Sequence, residues 1–190
     1  MNNQHQIQGW ALIGILRSIS NMWGKGSATK IIEKVGEESA KVLKYPIQST
    51  ALLPLFIAAD VLEQVEKDYG DGSGRTIRKL GRQSGKLAIE VVFTVYKTIG
   101  DIDRALKSVP GAWKKVYHNV DSTPQAVSSP DGSKLFRVCA NLHYIELWAP
   151  FVEGWIQGYL EAAMGERHTI KVKAQNLGEK TEFHVTHCAQ

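Results

Sequence analysis

The stretch NLHYIELWAPFVEGW, Asn141–Trp155, decides how this chain is read. Just before and into it, Phe136, Val138, Ala140, Leu142 and Tyr144 alternate with Arg137, Cys139, Asn141 and His143. A period of two places one set on each face of a strand, so the run predicts a half-buried β-strand. Pro150 ends that alternation. A helix is expected from Pro150 to Met164, with Gly165 as its stop. Within it Gly154, Gly158 and Ala162 share one face, because residues four apart in a helix stack one above another. Small side chains there form a packing groove where a second backbone can come close. Two helix-interior glycines cost roughly 1 kcal/mol each against alanine, and close packing, with the sheet as expected partner, offsets that cost. A groove open to a ligand or partner is the alternative.

Downstream, Ile170 and Val172 alternate with Thr169, Lys171 and Lys173. A turn at QNLGEK then leads to a strand carrying Phe183, Val185 and His187 on one face. Upstream the period is helical. Leu12, Ile15, Leu16, Ile19 and Trp23 recur at steps of three and four from Ile7 onward. Further helices are expected from Ser27 to Gly36, from Ser49 or Thr50 through Val65 with Pro54 in the first turn, and over Thr76 to Gly85. Another is read across GKLAIEVVFTVYKTIG, where Ile89, Val92, Phe93 and Tyr96 share a stripe. Two short ones follow, Asp101–Lys107 and, after Pro110, Ala112–Asn119. Residues 1–6 read as a frayed polar leader, and Asp121–Lys134 is rich in turn formers. Helices first, then β–α–β–β, predict an α+β fold: an N-terminal helical layer on a small antiparallel sheet, as one domain over 1–190.

Composition narrows the function classes. With 43% hydrophobic and 22% charged residues the chain is an ordinary globular sequence. The net charge of +4 is spread out. The cluster Arg75, Arg78, Lys79, Arg82 reads as a solvated helix face, so no nucleic-acid partner is expected. The apolar run Gly9–Leu16 is too short to span a bilayer, and two cysteines do not make a disulfide scaffold, so a cytoplasmic protein is expected. Cys139, His143, His184 and Cys188 invite a metal reading. Each pair is four apart on one strand, about 13 Å at roughly 3.3 Å per residue, too far to share a zinc whose ligands sit at roughly 2.0–2.3 Å. No metal site is expected. GDGSGRTIRK does not follow a strand, and no Gly-x-Ser-x-Gly elbow occurs, so no catalytic residue is assigned and the chain is read as a non-enzyme.

The large residues Val92, Phe93, Tyr96, Trp113, Tyr144 and Trp148 are the candidates for lining a pocket between helices and sheet. His118 closes an amphipathic segment with Trp113, Val116 and Tyr117; it reads as a helix-terminal histidine favoured by the C-terminal dipole, with ligation of a heme iron beside such a pocket as the alternative.

Taken in order, several short motifs resemble a known family. They are Gly9-Trp10, WGKG at Trp23–Gly26, Tyr45-Pro46 followed by Thr50 and Leu52-Leu53, LGRQSGK at Leu80–Lys86, His118, and LHYIELWAPFVEGWIQGYLEAAMG at Leu142–Gly165. This order resembles the heme-NO/oxygen-binding (H-NOX) superfamily, with its vinyl-reductase-type domains and Bet3-like Golgi transport subunits, and a branch from myxobacteria and their relatives. The resemblance implies an apolar cavity or a partner-binding surface, with His118 in the position of the proximal histidine. It also implies a Tyr-x-Ser-x-Arg clamp on the heme propionates, and there the chain departs: after Tyr144, Glu146 stands for the serine and Trp148 for the arginine. A carboxylate repels propionates, and an indole cannot make the bidentate charged pair. The reading is therefore a sensory or regulatory module that binds a small apolar ligand without a cofactor. A protein-interaction scaffold, as a homodimer, is one alternative, and a heme-based gas sensor using His118 is the other.

Overall fold

The structure, a computed structural model, describes residues 5–91, 101–118, 125–128, 134–139, 146–165, 168–177 and 180–189. The chain begins with β1 (Gln6–Gln8), α1 (Gly9–Trp23), α2 (Ser27–Ile32), α3 (Glu37–Leu43), β2 (Leu52–Pro54) and α4 (Leu55–Tyr69). The long helices α5 (Arg75–Val91) and α6 (Ile102–Val116) follow, then β3 (Tyr117–His118), β4 (Gln125–Ser128) and β5 (Lys134–Cys139). It closes with α7 (Trp148–Met164), β6 (His168–Asn176) and β7 (Lys180–Ala189). Two antiparallel sheets result, β2-β1-β3 and β4-β5-β7-β6. The α+β expectation and its closing β–α–β–β unit correspond to β5, α7, β6 and β7.

The small sheet departs from the sequence reading. Ile7 does not open a helix; it pairs with Leu53 and Tyr117. Nor do residues 1–6 all form a frayed leader, since His5 is buried and Gln6 pairs with Pro54 and His118. Leu53 precedes a proline, which disfavours helical backbone there, and β1 takes up the extended segment. The helix expected from Ser49 or Thr50 therefore starts at Leu55, whose N–H donates to His5 O at 2.9 Å. Gly9 makes the turn from β1 into α1 because a Cβ there would lie 2.1 Å from Gln48 O.

Two expected breaks between helices do not occur among the described residues. The second of the helices concerned stops at Val116, since Tyr117 and His118 form β3 and not its last turn. Arg75–Val91 runs unbroken through Gly81 and Gly85. Ile102–Val116 runs unbroken through Pro110, with Asp101 accepting from the Arg104 N–H at 3.0 Å as its cap. A proline in a helix interior costs about 3 kcal/mol. The burial of Leu106, Val109, Trp113 and Val116 along one stripe of α6 opposes that cost.

The core is organised around α7. One side of it lies on the larger sheet, over Phe136, Ile170, Val172, Phe183 and Val185, all buried. The other side meets α5, not the sheet, through glycines on both helices. A Cβ on Gly154 or Gly158 would sit 1.9 Å from the Arg78 or Arg82 carbonyl oxygen. A Cβ on Gly81 or Gly85 would sit 2.0 or 2.2 Å from that of Phe151 or Trp155. At Gly154 and Gly158 the predicted groove is thus filled by a helix backbone, whereas Ala162 lines an open depression with Arg82, Lys86 and Glu161. Along the rim of the groove Arg78 donates to Val172 O at 2.7 Å, and Arg82 pairs with Glu161 at 2.8 Å. Lys86 also reaches Glu161, at 3.4 Å. Half of the basic cluster read as a solvated face is therefore committed to α7 and β6. Among the described residues, no helix is long and apolar enough to cross a membrane.

Candidate ligand cavity

On the face of α5 away from the sheet, α1 crosses it less closely, and a cavity of about 180 Å³ remains. Ile7 from β1, Trp10, Ala11, Gly14 and Ile15 from α1, and Leu87 and Ala88 from α5 line it. Val116, Tyr117 and, from α7, Phe151 and Trp155 complete the wall. α1 presents a glycine in this wall: a Cβ on Gly14 would meet nothing within 4 Å. The wall polar groups are largely spoken for. Ser84 Oγ donates to Ser18 Oγ at 2.9 Å, and Ser18 Oγ donates to Gly14 O at 2.8 Å. Arg17 and Ser49 stand at the exposed margin.

Tyr117 joins this cavity to an aromatic cluster. Its ring lies 4.5 Å from that of Trp113 and 4.9 Å, edge-on, from that of Trp148, and the two indoles meet edge-on at 5.4 Å. Burial pushes the Tyr117 hydroxyl pKa up, so it stays protonated and can only donate or accept as a neutral group. The indole N–H of Trp113 is buried without a partner among the described residues. A second hollow of about 10 Å³ lies between Tyr117, Trp148, Phe151 and Leu55, which is room for at most one water.

The residues singled out from the sequence fall differently. Val92, Phe93, Tyr96 and Tyr144 lie outside the described residues. Trp113 and Trp148 are buried in the aromatic cluster, and Trp148 touches only the smaller hollow. His118 in β3 pairs across to Gln6, and its Nε2 hydrogen-bonds Gln8 Oε1 at 3.0 Å; it does not line the larger cavity. Sequence reasoning missed Gly14, Arg17, Tyr117, Phe151 and Trp155. A helix-interior glycine at position 14 was the available signal. Of the metal candidates, His143 lies outside the described residues. In register, Cys139 stands opposite Lys180, while His184 lies between Leu135 and Lys173. No group of three ligating side chains converges among the described residues. His187 is half-buried, and its Nε2 lies 2.8 Å from His168 Nδ1.

Comparison with solved structures settles the architecture. An H-NOX protein from S. oneidensis in the Fe(II)NO state superposes with a TM-score of 0.71 over 96% of this chain and 99% of that one, at 12% identity. The fold is that of the H-NOX proteins. The unliganded Fe(II) H-NOX protein from K. algicida gives 0.68 at 11% identity over 97% and 98%. An oxygen-binding H-NOX domain related to soluble guanylate cyclases, in its oxygen complex, gives 0.65 at 12% identity over 97% and 95%. No protein-family model and no curated protein matches the sequence.

The fold raises the question of heme, and the residues around this cavity do not fit it. A cavity of about 180 Å³ is below the roughly 300–1,000 Å³ of pockets that hold drug-sized ligands, let alone a porphyrin. No histidine among the described residues lines it. The His118 Nε2 that would face iron is engaged with Gln8. Glu146 is exposed, and Trp148 is packed against Trp113 and Tyr117 instead of clamping a propionate.

Proposed function

We propose that this chain is a sensory or regulatory module that takes up a small apolar molecule between α1, α5 and α7 and does no chemistry on it. The observation that carries the reading is the cavity at Gly14, about 180 Å³ in volume with chiefly hydrocarbon walls. An engineered apolar cavity of about 150 Å³ binds benzene or xenon, so a single-ring or branched aliphatic body is the right size. The position suits signalling. The wall belongs to elements far apart in the chain, so filling it biases how α1 and β1 seat on α5 and α7. Against an enzyme, the lining Ser84 is bonded to Ser18, with no base beside them among the described residues.

The test is binding of toluene or xenon followed by NMR. Saturable shifts at Ala11, Leu87 and Ala88 are expected, and they should vanish in Gly14→Leu, whose side chain grows into the space. Absence of shifts in the wild type, or the same shifts in Gly14→Leu, would refute the reading. Heme is the second reading, and the iron-bearing H-NOX structures of the same fold favour it. It requires a Soret band after reconstitution that is lost in His118→Ala; the expected result is protein that stays colourless.

A further inference from the structure

The cavity is not uniformly apolar at its mouth, and that asymmetry speaks to what enters it. Among the described residues, Arg17 is the only charged one lining it. It is exposed, and among the described residues it has no ion-pair or hydrogen-bond partner. Arg78, Arg82 and Arg137 are each paired with a carboxylate; Arg75 and Arg104 are exposed without an ion pair among the described residues, as Arg17 is, but neither lines the cavity. Arg17 also borders a shallower depression with Leu16, Leu43 and Tyr45, which places it on the rim and not in the depth. Ser49 stands with it at the margin, exposed.

We infer that the cavity selects a small monoanion: an apolar body about the size of one ring inside, and a carboxylate held at the mouth by Arg17. This rests on the proposed apolar binding and narrows its ligand class. A guanidinium presents two parallel N–H groups to a carboxylate, a geometry that is both stronger and more directional than a neutral hydrogen bond. A single cation on the rim matches one negative charge, and a dianion would leave one charge uncompensated among the lining residues. A neutral hydrocarbon would use the interior and leave Arg17 with nothing to hold.

The experiment compares benzoate with toluene, bodies of similar size that differ in charge, by NMR titration of the intact chain. Benzoate is expected to bind about ten-fold more tightly at low salt, a preference that shrinks as salt rises because the rim is exposed. In Arg17→Gln the benzoate-to-toluene ratio should fall to near one, and in Arg17→Lys it should recover in part. Toluene binding without any preference for benzoate overturns this inference and leaves the apolar reading standing. Failure of both probes overturns the two together. A preference unchanged in Arg17→Gln overturns the assignment to Arg17.

Discussion

The two interfaces that α5 makes, with α7 and with α1, use glycine in opposite ways. Toward α7, Gly81 and Gly85 interlock with Gly154 and Gly158, and any Cβ would lie within about 2 Å of a carbonyl oxygen. Toward α1, Gly14 faces empty space, with nothing within 4 Å. The same residue type closes one interface and opens the other. What differs is the partner: glycines on both α5 and α7 let the backbones touch, whereas Gly14 lines the open space that it shares with Ser84, Leu87 and Ala88.

The contrast can be broken at its tight side first. Gly158→Ala should destabilise the fold by about 3 kcal/mol, the upper range for overpacking, despite the better helix propensity of alanine. At roughly 2–4 °C per kcal/mol for a chain of this size, the melting temperature should drop by about 6–12 °C in a calorimetric scan. An unchanged melting temperature would mean the helices are not in backbone contact. On the open side Gly14→Ala should do the reverse, adding up to about 1 kcal/mol from helix propensity with no steric penalty. Urea midpoints of the two variants moving in the same direction would erase the distinction.

The polar rim of the tight seam gives smaller effects. Glu161 meets Arg82 and Lys86, but both cations are well exposed, so Glu161→Gln should cost less than about 1 kcal/mol and less still in high salt. Glu153 is the more informative group. Burial pushes its pKa up, with Arg78 and the Ala174 N–H pulling only partly against it. A raised folded pKa means the folded state holds the proton more tightly than the unfolded chain. Its contribution to stability is therefore complete below the usual glutamate range and is lost as pH rises through the raised value. Glu153→Gln should flatten that part of the stability–pH curve, read from urea midpoints across mildly acidic to neutral pH. An unaltered slope would show that the proton is held elsewhere.

Much of this was visible in residue order, and the reasons for the rest are physical. β6 and β7 are long enough for a period of two to show, as at Ile170 and Val172, and α7 announces itself through Pro150 and Gly165. β1, β2 and β3 have three, three and two residues, too few for any period, and each is specified by its partners. Pro110 reads as a helix break and is carried through by the buried face around it. The stripe at Gly154 and Gly158 was legible, but its partner on α5 was not, since LGRQSGK lies some 70 residues earlier in the chain. Least legible was the cavity, because Ile7, Ile15, Phe151 and Trp155 look like any core residues until their packing leaves a gap.

β1 also has a temporal consequence. It sits between β2 and β3, and the Gln8–His118 bond that ties it to the latter spans 110 residues. On a ribosome adding roughly 5–20 residues per second, Ile7 must wait about 5–20 s after emerging before its second strand partner exists. Until then β1 has only β2 to pair with, so a hairpin of Gln6–Gln8 with Leu52–Pro54 is the one part of this sheet that can form early.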